Sequence, residues 1–154
     1  MTESALHTAD VVVDPRLPRD QETLLTTALT TLGFTPRVRE LPRRRAAGQL
    51  VWMVLVSVPL HTFLRAVTDK AATDAYRCLQ EAVRALRTRS DETPHPVVFQ
   101  DPDNGLRIVL EPDLPAEAYQ QLLALDLTQY RLGPLHYDKA QSRWRSELDE
   151  AAPR

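Results

Sequence analysis

A chain of 154 residues is long enough to bury one sizeable core. With 43% hydrophobic residues, 26% charged residues and a net charge of −2, it is neither an intrinsically disordered chain nor a strongly basic nucleic-acid binder. A single cysteine, Cys78, excludes an intramolecular disulfide and any zinc site built mainly from thiolates, and suits a reducing cytoplasm. The start, "MTESALHTADVVVDP", has no basic n-region and no long apolar run before Asp10, so the sequence predicts no signal or transit peptide and a cytoplasmic protein.

"DVVVDPRLP" opens with β-branched residues and stops at Pro15, which predicts a short first strand after a flexible tail over residues 1–9. "RDQETLLTTALTTLGF" then sets Leu24, Leu25, Ala28, Leu29 and Leu32 at helical spacing, with Asp20 as N-cap, Glu22 in the first turn and Gly33 as the stop. The alternation of Arg37, Val38 and Arg39 predicts an edge strand that runs through Pro42 into an exposed arginine-rich loop.

From Leu50 to Leu60 only Ser57 and Pro59 interrupt an apolar run. It is about half the roughly 20 residues a membrane-spanning helix requires. Valines at 51, 54, 56 and 58, with Pro59 as terminator, favour a strand buried on both faces in the middle of a sheet. Arginines flank the run on one side, but Arg65 and Lys70 follow on the other, so the charge asymmetry that orients a membrane helix is weak. Membrane association is not expected.

Beyond Pro59 the period changes. Leu60, Phe63, Leu64, Val67, Ala71, Ala75, Leu79, Ala82, Val83 and Leu86 form one stripe, which predicts a single long helix ending near Arg89. The polar connector "SDETPHP" places a candidate sub-boundary near residues 90–96. "VVFQDPDNGLRIVLEP" predicts a hairpin in which Gly105 takes a positive φ. "DLPAEAYQQLLALDL" predicts a third helix with Asp113 near its cap and Pro115 in its first turn. In "GPLHYDKAQSRWRSEL" two alternating strands flank residues 139–142, with Leu135, Tyr137 and Trp144 on one side and His136, Asp138, Arg143 and Arg145 on the other. The predicted fold is α+β, a two-layer sandwich with a largely antiparallel sheet and about three helices, in the order β-α-β-β-α-β-β-α-β-β. Residues 10–150 make a single domain and 151–154 a second flexible tail.

"DPDNG" resembles the start of a calcium loop, but its glycine comes at the fifth position instead of the sixth and Pro112 holds the twelfth, so a hairpin turn is the better reading. His136 and Asp138 share one strand face and form a possible acid-base pair, yet Asp138 opposite Arg143 reads more simply as an exposed charge pair. No GxSxG elbow, HExxH pair, P-loop or nuclease-type acid-lysine spacing is present. Cys78 lies on or beside the helical stripe and reads as a small core residue.

The most concrete functional surface is Arg37, Arg39, Arg43, Arg44 and Arg45, whose guanidinium groups suit forked hydrogen bonds to phosphates, acidic lipid or an acidic protein partner, beside the simpler reading of a solvated loop that protects the sheet edge. The leading reading is a non-catalytic protein-interaction or adaptor module with another protein as partner, no specific nucleic acid, no metal and no cofactor. The alternative is a small enzyme using acids among Asp101, Asp103, Glu111 and Asp113 with His136 as base.

At "KAATDAYRCLQEAVRAL", "GLRIVLEPDLPAEAYQQLLALDL" and "GPLHYDKAQSRWRS" the chain resembles the small effector-associated components of actinobacterial conflict systems. The likeness covers roughly the last two-thirds of the chain and lies in an apolar segment leading into a helix of the "DAYR" type and in the general layout. It implies a module that works in recruitment or signalling beside a protease, a nucleotidase-like ATPase or another effector. It transfers no catalytic residue.

Overall fold

A computed structural model of the chain describes residues 7–13, 19–40, 54–70, 74–84, 97–111 and 113–151. The elements run β1 (His7–Val13), α1 (Arg19–Thr31), β2 (Phe34–Glu40), β3 (Val54–Ser57), α2 (Leu60–Asp69), α3 (Asp74–Arg84), β4 (Val97–Gln100), β5 (Arg107–Leu110), α4 (Ala116–Leu123), a 3-10 turn (Leu127–Gln129), β6 (His136–Asp138), β7 (Arg143–Arg145) and α5 (Glu147–Ala151). The α+β class and the succession of strands agree with the expectation from sequence. Leu50, Arg43, Arg44, Arg45 and the connector 90–96 lie outside the described residues.

The main sheet has five strands in the order β2-β1-β3-β4-β5, with β6-β7 as a separate two-stranded ribbon. It is mixed, which corrects the largely antiparallel expectation: β1 pairs β2 and β3 pairs β4 in parallel, while β1-β3 and β4-β5 are antiparallel. The cause is the helical return. Thirteen residues of α1 rise about 20 Å, close to the length of the strand before it, so the chain is carried back to its starting end and β2 must run alongside β1 in the same direction. β1 takes the inner position because Ala9, Val11 and Val13 are buried on one face and Val12 is half-buried on the other. β2, with Arg37, Arg39 and Glu40 exposed, is fit only for an edge.

β3 is the middle strand, with Val54 and Val56 fully buried, as the valine-rich run predicts; the strand stops at Ser57 and α2 begins directly after Pro59. No helix among the described residues is long and apolar enough to cross a membrane. The single long helix expected from Leu60 to Arg89 is in fact two. α2 closes at Lys70, whose N–H donates to the carbonyls of Ala66 and Val67, and α3 starts anew at Asp74. The two halves of the stripe serve different neighbours: α2 packs on α4 and α3 packs on α1.

Smaller corrections follow the same logic. β1 starts at His7, so Ala9, expected in a tail, is buried in the sheet. Asp20 lies inside the first turn of α1, not at its cap, and Leu24 is 37% exposed while Leu25, Ala28, Leu29 and Leu32 are buried. Pro115, expected in the first turn of α4, is its N-cap, and Asp113, near that cap as expected, pairs with Lys139. A short C-terminal helix, α5, takes in Ala151, which was expected to begin a tail.

α1, α2, α3 and α4 pack their buried residues on one face of the sheet. Phe63 of α2 stacks on Phe99 of β4 at 4.3 Å between ring centroids, and Phe34 of β2 approaches Phe63 at 6.3 Å. Tyr119 of α4 meets Tyr76 of α3 edge-on, and its buried hydroxyl has no hydrogen-bond partner among the described residues. Burial pushes that phenol up to about 12. Tyr119→Phe keeps the ring and removes the orphaned hydroxyl, so it should raise stability by about 1 kcal/mol, read as a higher urea midpoint at unchanged slope; a lower midpoint would show that the hydroxyl contributes to folding.

The β6-β7 ribbon is tied to the outer edge of β5 through Leu135, whose N–H donates to Arg107 O at 2.8 Å while its carbonyl accepts from Val109 N at 2.8 Å. Tyr137 and Trp144 pair across the ribbon, and Trp144 Nε1 donates to Ala118 O at 2.8 Å. Gly133 makes the close approach possible. At φ +57 it lies where a Cβ would come within 2.9 Å of Leu106 Cδ1, so no other residue fits without displacement.

Candidate functional site: the arginine edge of the sheet

β5 has its outer edge covered by Leu135, whereas among the described residues β2 has no strand beyond it. The alternation of β2 sends Phe34, Pro36, Val38 and Glu40 to the helical face and Thr35, Arg37 and Arg39 to the opposite one. Arg37 and Arg39 are exposed, and with Asp10 and Val38 they line an open groove of about 340 Å³. Two of the five predicted arginines are thus placed together on one face of an edge strand.

The sheet register extends this face into two rows. Arg37, Asp10, Ser57, Gln100 and Arg107 lie side by side across all five strands, and next to them run Arg39, Val12, Leu55, Val98 and Val109. The first row is polar from edge to edge; the second is apolar with a guanidinium at its β2 end. Sequence reasoning found Arg37 and Arg39 but missed Asp10, Ser57, Gln100 and Arg107. The only signal for those four is register, which depends on β1 standing between β2 and β3.

The acidic set proposed as an alternative site does not converge. Asp101 and Asp103 sit in the β4-β5 turn, and Glu111 and Asp113 lie past the far end of β5, a strand of four residues or about 13 Å. Asp113 pairs with Lys139, which is held above its usual range by that carboxylate and by nearby Glu111. His136, half-buried, stands on β6 opposite Arg145. Among the described residues no three of His, Cys, Asp and Glu are grouped so as to hold a metal ion.

Asp101 has a structural occupation instead. Only 9% exposed, it accepts the N–H of Leu60 at 3.2 Å and that of Asp103 at 2.8 Å, so it caps α2 from another element, where Pro59 offers no side-chain cap. Gly105, at φ +76, closes the same turn, as expected from sequence. Asp101→Ala should lower stability by about 1 kcal/mol through loss of this cap, while Asp101→Asn, which keeps an acceptor, should cost less. Equal losses in the two variants, measured by thermal unfolding, would assign the effect to charge and not to the cap.

Asp138 is opposite Arg143 in register but does not pair with it. Its Oδ2 accepts from Arg145 Nη1 at 2.9 Å, while Oδ1 takes the turn amides of Ala140 and Gln141. Arg145 also donates two hydrogen bonds to Glu150 of α5, and this hydrogen bonding holds both carboxyls below their usual range. The diagonal partner wins because Arg145 is only partly exposed, so its desolvated charge gains more from two carboxylates than exposed Arg143 would. This network anchors α5 to the ribbon. Cys78, half-buried, packs against the core.

No protein-family model matches this chain, and neither a curated protein nor a solved structure is significantly similar to it.

Proposed function

We propose that this protein is a non-catalytic adaptor that binds another protein through the arginine edge of its sheet, working in the cytoplasm in a bacterial conflict or signalling system. The observation that carries the reading is β2. It is a seven-residue strand, exposed from Arg37 to Glu40, with two guanidinium groups on the face opposite the helices. Pro36 and the charges guard such an edge against indiscriminate pairing, and the same two guanidinium groups suit a partner that presents carboxylates. Arg43, Arg44 and Arg45 follow in the sequence and lie outside the described residues. The conflict-system context rests on the resemblance over "DAYRCLQEAVRAL" and the segments after it.

Purification of the full chain from its native cell, beside the Arg37→Glu/Arg39→Glu variant, tests the reading. The variant should fold normally, because both side chains are exposed, and should lose one or more of the proteins that co-purify with the wild type. An unchanged set of co-purifying proteins removes the arginine edge as the contact.

A further inference from the structure

We infer that the occupant of the β2 edge is an extended acidic segment of the partner, added as a sixth strand in the pattern acidic-apolar-acidic. The inference rests on the adaptor reading above and specifies its ligand.

Pro36 supplies the backbone argument. A proline survives inside a strand only where its missing N–H would have pointed away from the ladder, so Pro36 turns its nitrogen to the open side of β2. Direction alternates along a strand. Val38 and Glu40 therefore present their N–H and C=O groups outward, and Arg37 and Arg39 direct theirs to β1. A strand added here can form a hydrogen-bonded pair at Val38, with Arg37 and Arg39 in the flanking positions where cross-strand side chains approach most closely. The partner residues opposite those arginines are two apart and share their face. Carboxylates there meet the guanidinium groups; the residue between them falls on the other face, beside Val38, which is 37% exposed and gains from an apolar neighbour.

The same geometry disfavours a second copy of this chain. Two β2 strands paired antiparallel about a twofold axis must match residues of like face. Centring the pair on Arg37, Val38 or Arg39 then sets arginine against arginine, directly or on the diagonal, with no carboxylate of β2 on that face. Charge thus selects an acidic partner strand over self-association.

The test uses the full chain with two synthetic peptides, one alternating glutamate with valine and one alternating lysine with valine. The glutamate peptide should bind and slow amide hydrogen exchange at Val38 and Glu40, whose N–H groups face the open side, with little change at Arg37 and Arg39. Arg37→Glu/Arg39→Glu should weaken that binding by about tenfold and make the lysine peptide the preferred ligand. Exchange of preference between the two proteins cannot arise from misfolding. The inference is overturned if neither peptide protects β2, if both proteins bind the two peptides alike, or if β2 of the free protein is already protected within a dimer seen by sedimentation. Should the peptides fail while the charge-reversed protein still loses its cellular partners, the adaptor reading stands and the acidic-strand inference falls. Should both experiments fail, both fall.

Discussion

Val56→Asp should leave the protein unfolded in native buffer. Val56 is fully buried at the middle of the middle strand, in register with Val11 on one side and Phe99 on the other, beneath the layer that carries the Phe63–Phe99 stack. An aspartate there loses the transfer free energy of the valine, about 2 kcal/mol, and strands a carboxylate among aliphatic side chains. Protonation relieves the charge but leaves a polar group with no partner, so the sum is several kcal/mol against a total of about 5–15 kcal/mol for an ordinary domain. Circular dichroism and gel filtration should show loss of the cooperative fold. Val38→Asp is the control: the same exchange on the same face of the sheet, but at the exposed edge, should shift the unfolding midpoint only slightly. A Val56→Asp protein with the wild-type spectrum and midpoint would mean that β3 is not covered as described.

The second large effect is at Asp149, which carries the C-terminal helix. Its Oδ1 accepts from Arg131 N at 2.8 Å and Leu132 N at 3.0 Å, and its Oδ2 from Leu132 N at 3.1 Å and Gly133 N at 2.9 Å. Three consecutive amides thus converge on one carboxylate and hold the segment that leads into Leu135 and the β5 edge. Partial burial works against ionisation, but the N–H groups of Gly133, Arg131 and Leu132 and the Ser146 hydroxyl outweigh it and hold the carboxyl down at about 2. Asp149→Ala should cost about 2 kcal/mol; exposure of Arg131 and Leu132 lets water replace part of what is lost. Because the folded-state value lies below the ordinary carboxylate value of 3.8, the contribution is complete above about pH 4 and fades as pH falls toward 2. The stability gap between wild type and Asp149→Ala, measured by denaturant titration across that range, should shrink accordingly. A gap independent of pH would mean that the carboxylate acts through packing alone.

Much of this protein is legible along the chain because the relevant physics is local. Strand and helix succession follows from period: valines at 54 and 56 before Pro59, leucines and alanine at 25, 28, 29 and 32 before Gly33, and the alternation that brings Tyr137 to Trp144 across the ribbon. The φ of Gly105 follows from its turn, and the edge position of β2 from arginines that no inner strand could bury. What sequence could not decide is which elements stand side by side. The insertion of β1 between β2 and β3, the split of the Leu60 stripe at Lys70, and the choice of Arg145 over Arg143 as the partner of Asp138 are all settled by competition for shared surface. The same competition turns Asp101 from a candidate acid into the cap of α2, and aligns Asp10, Ser57, Gln100 and Arg107 with Arg37. Patterning acts between neighbours a few residues apart and so determines elements and their faces. Register and pairing are energies of contact between segments tens of residues apart, and only the folded sheet evaluates them.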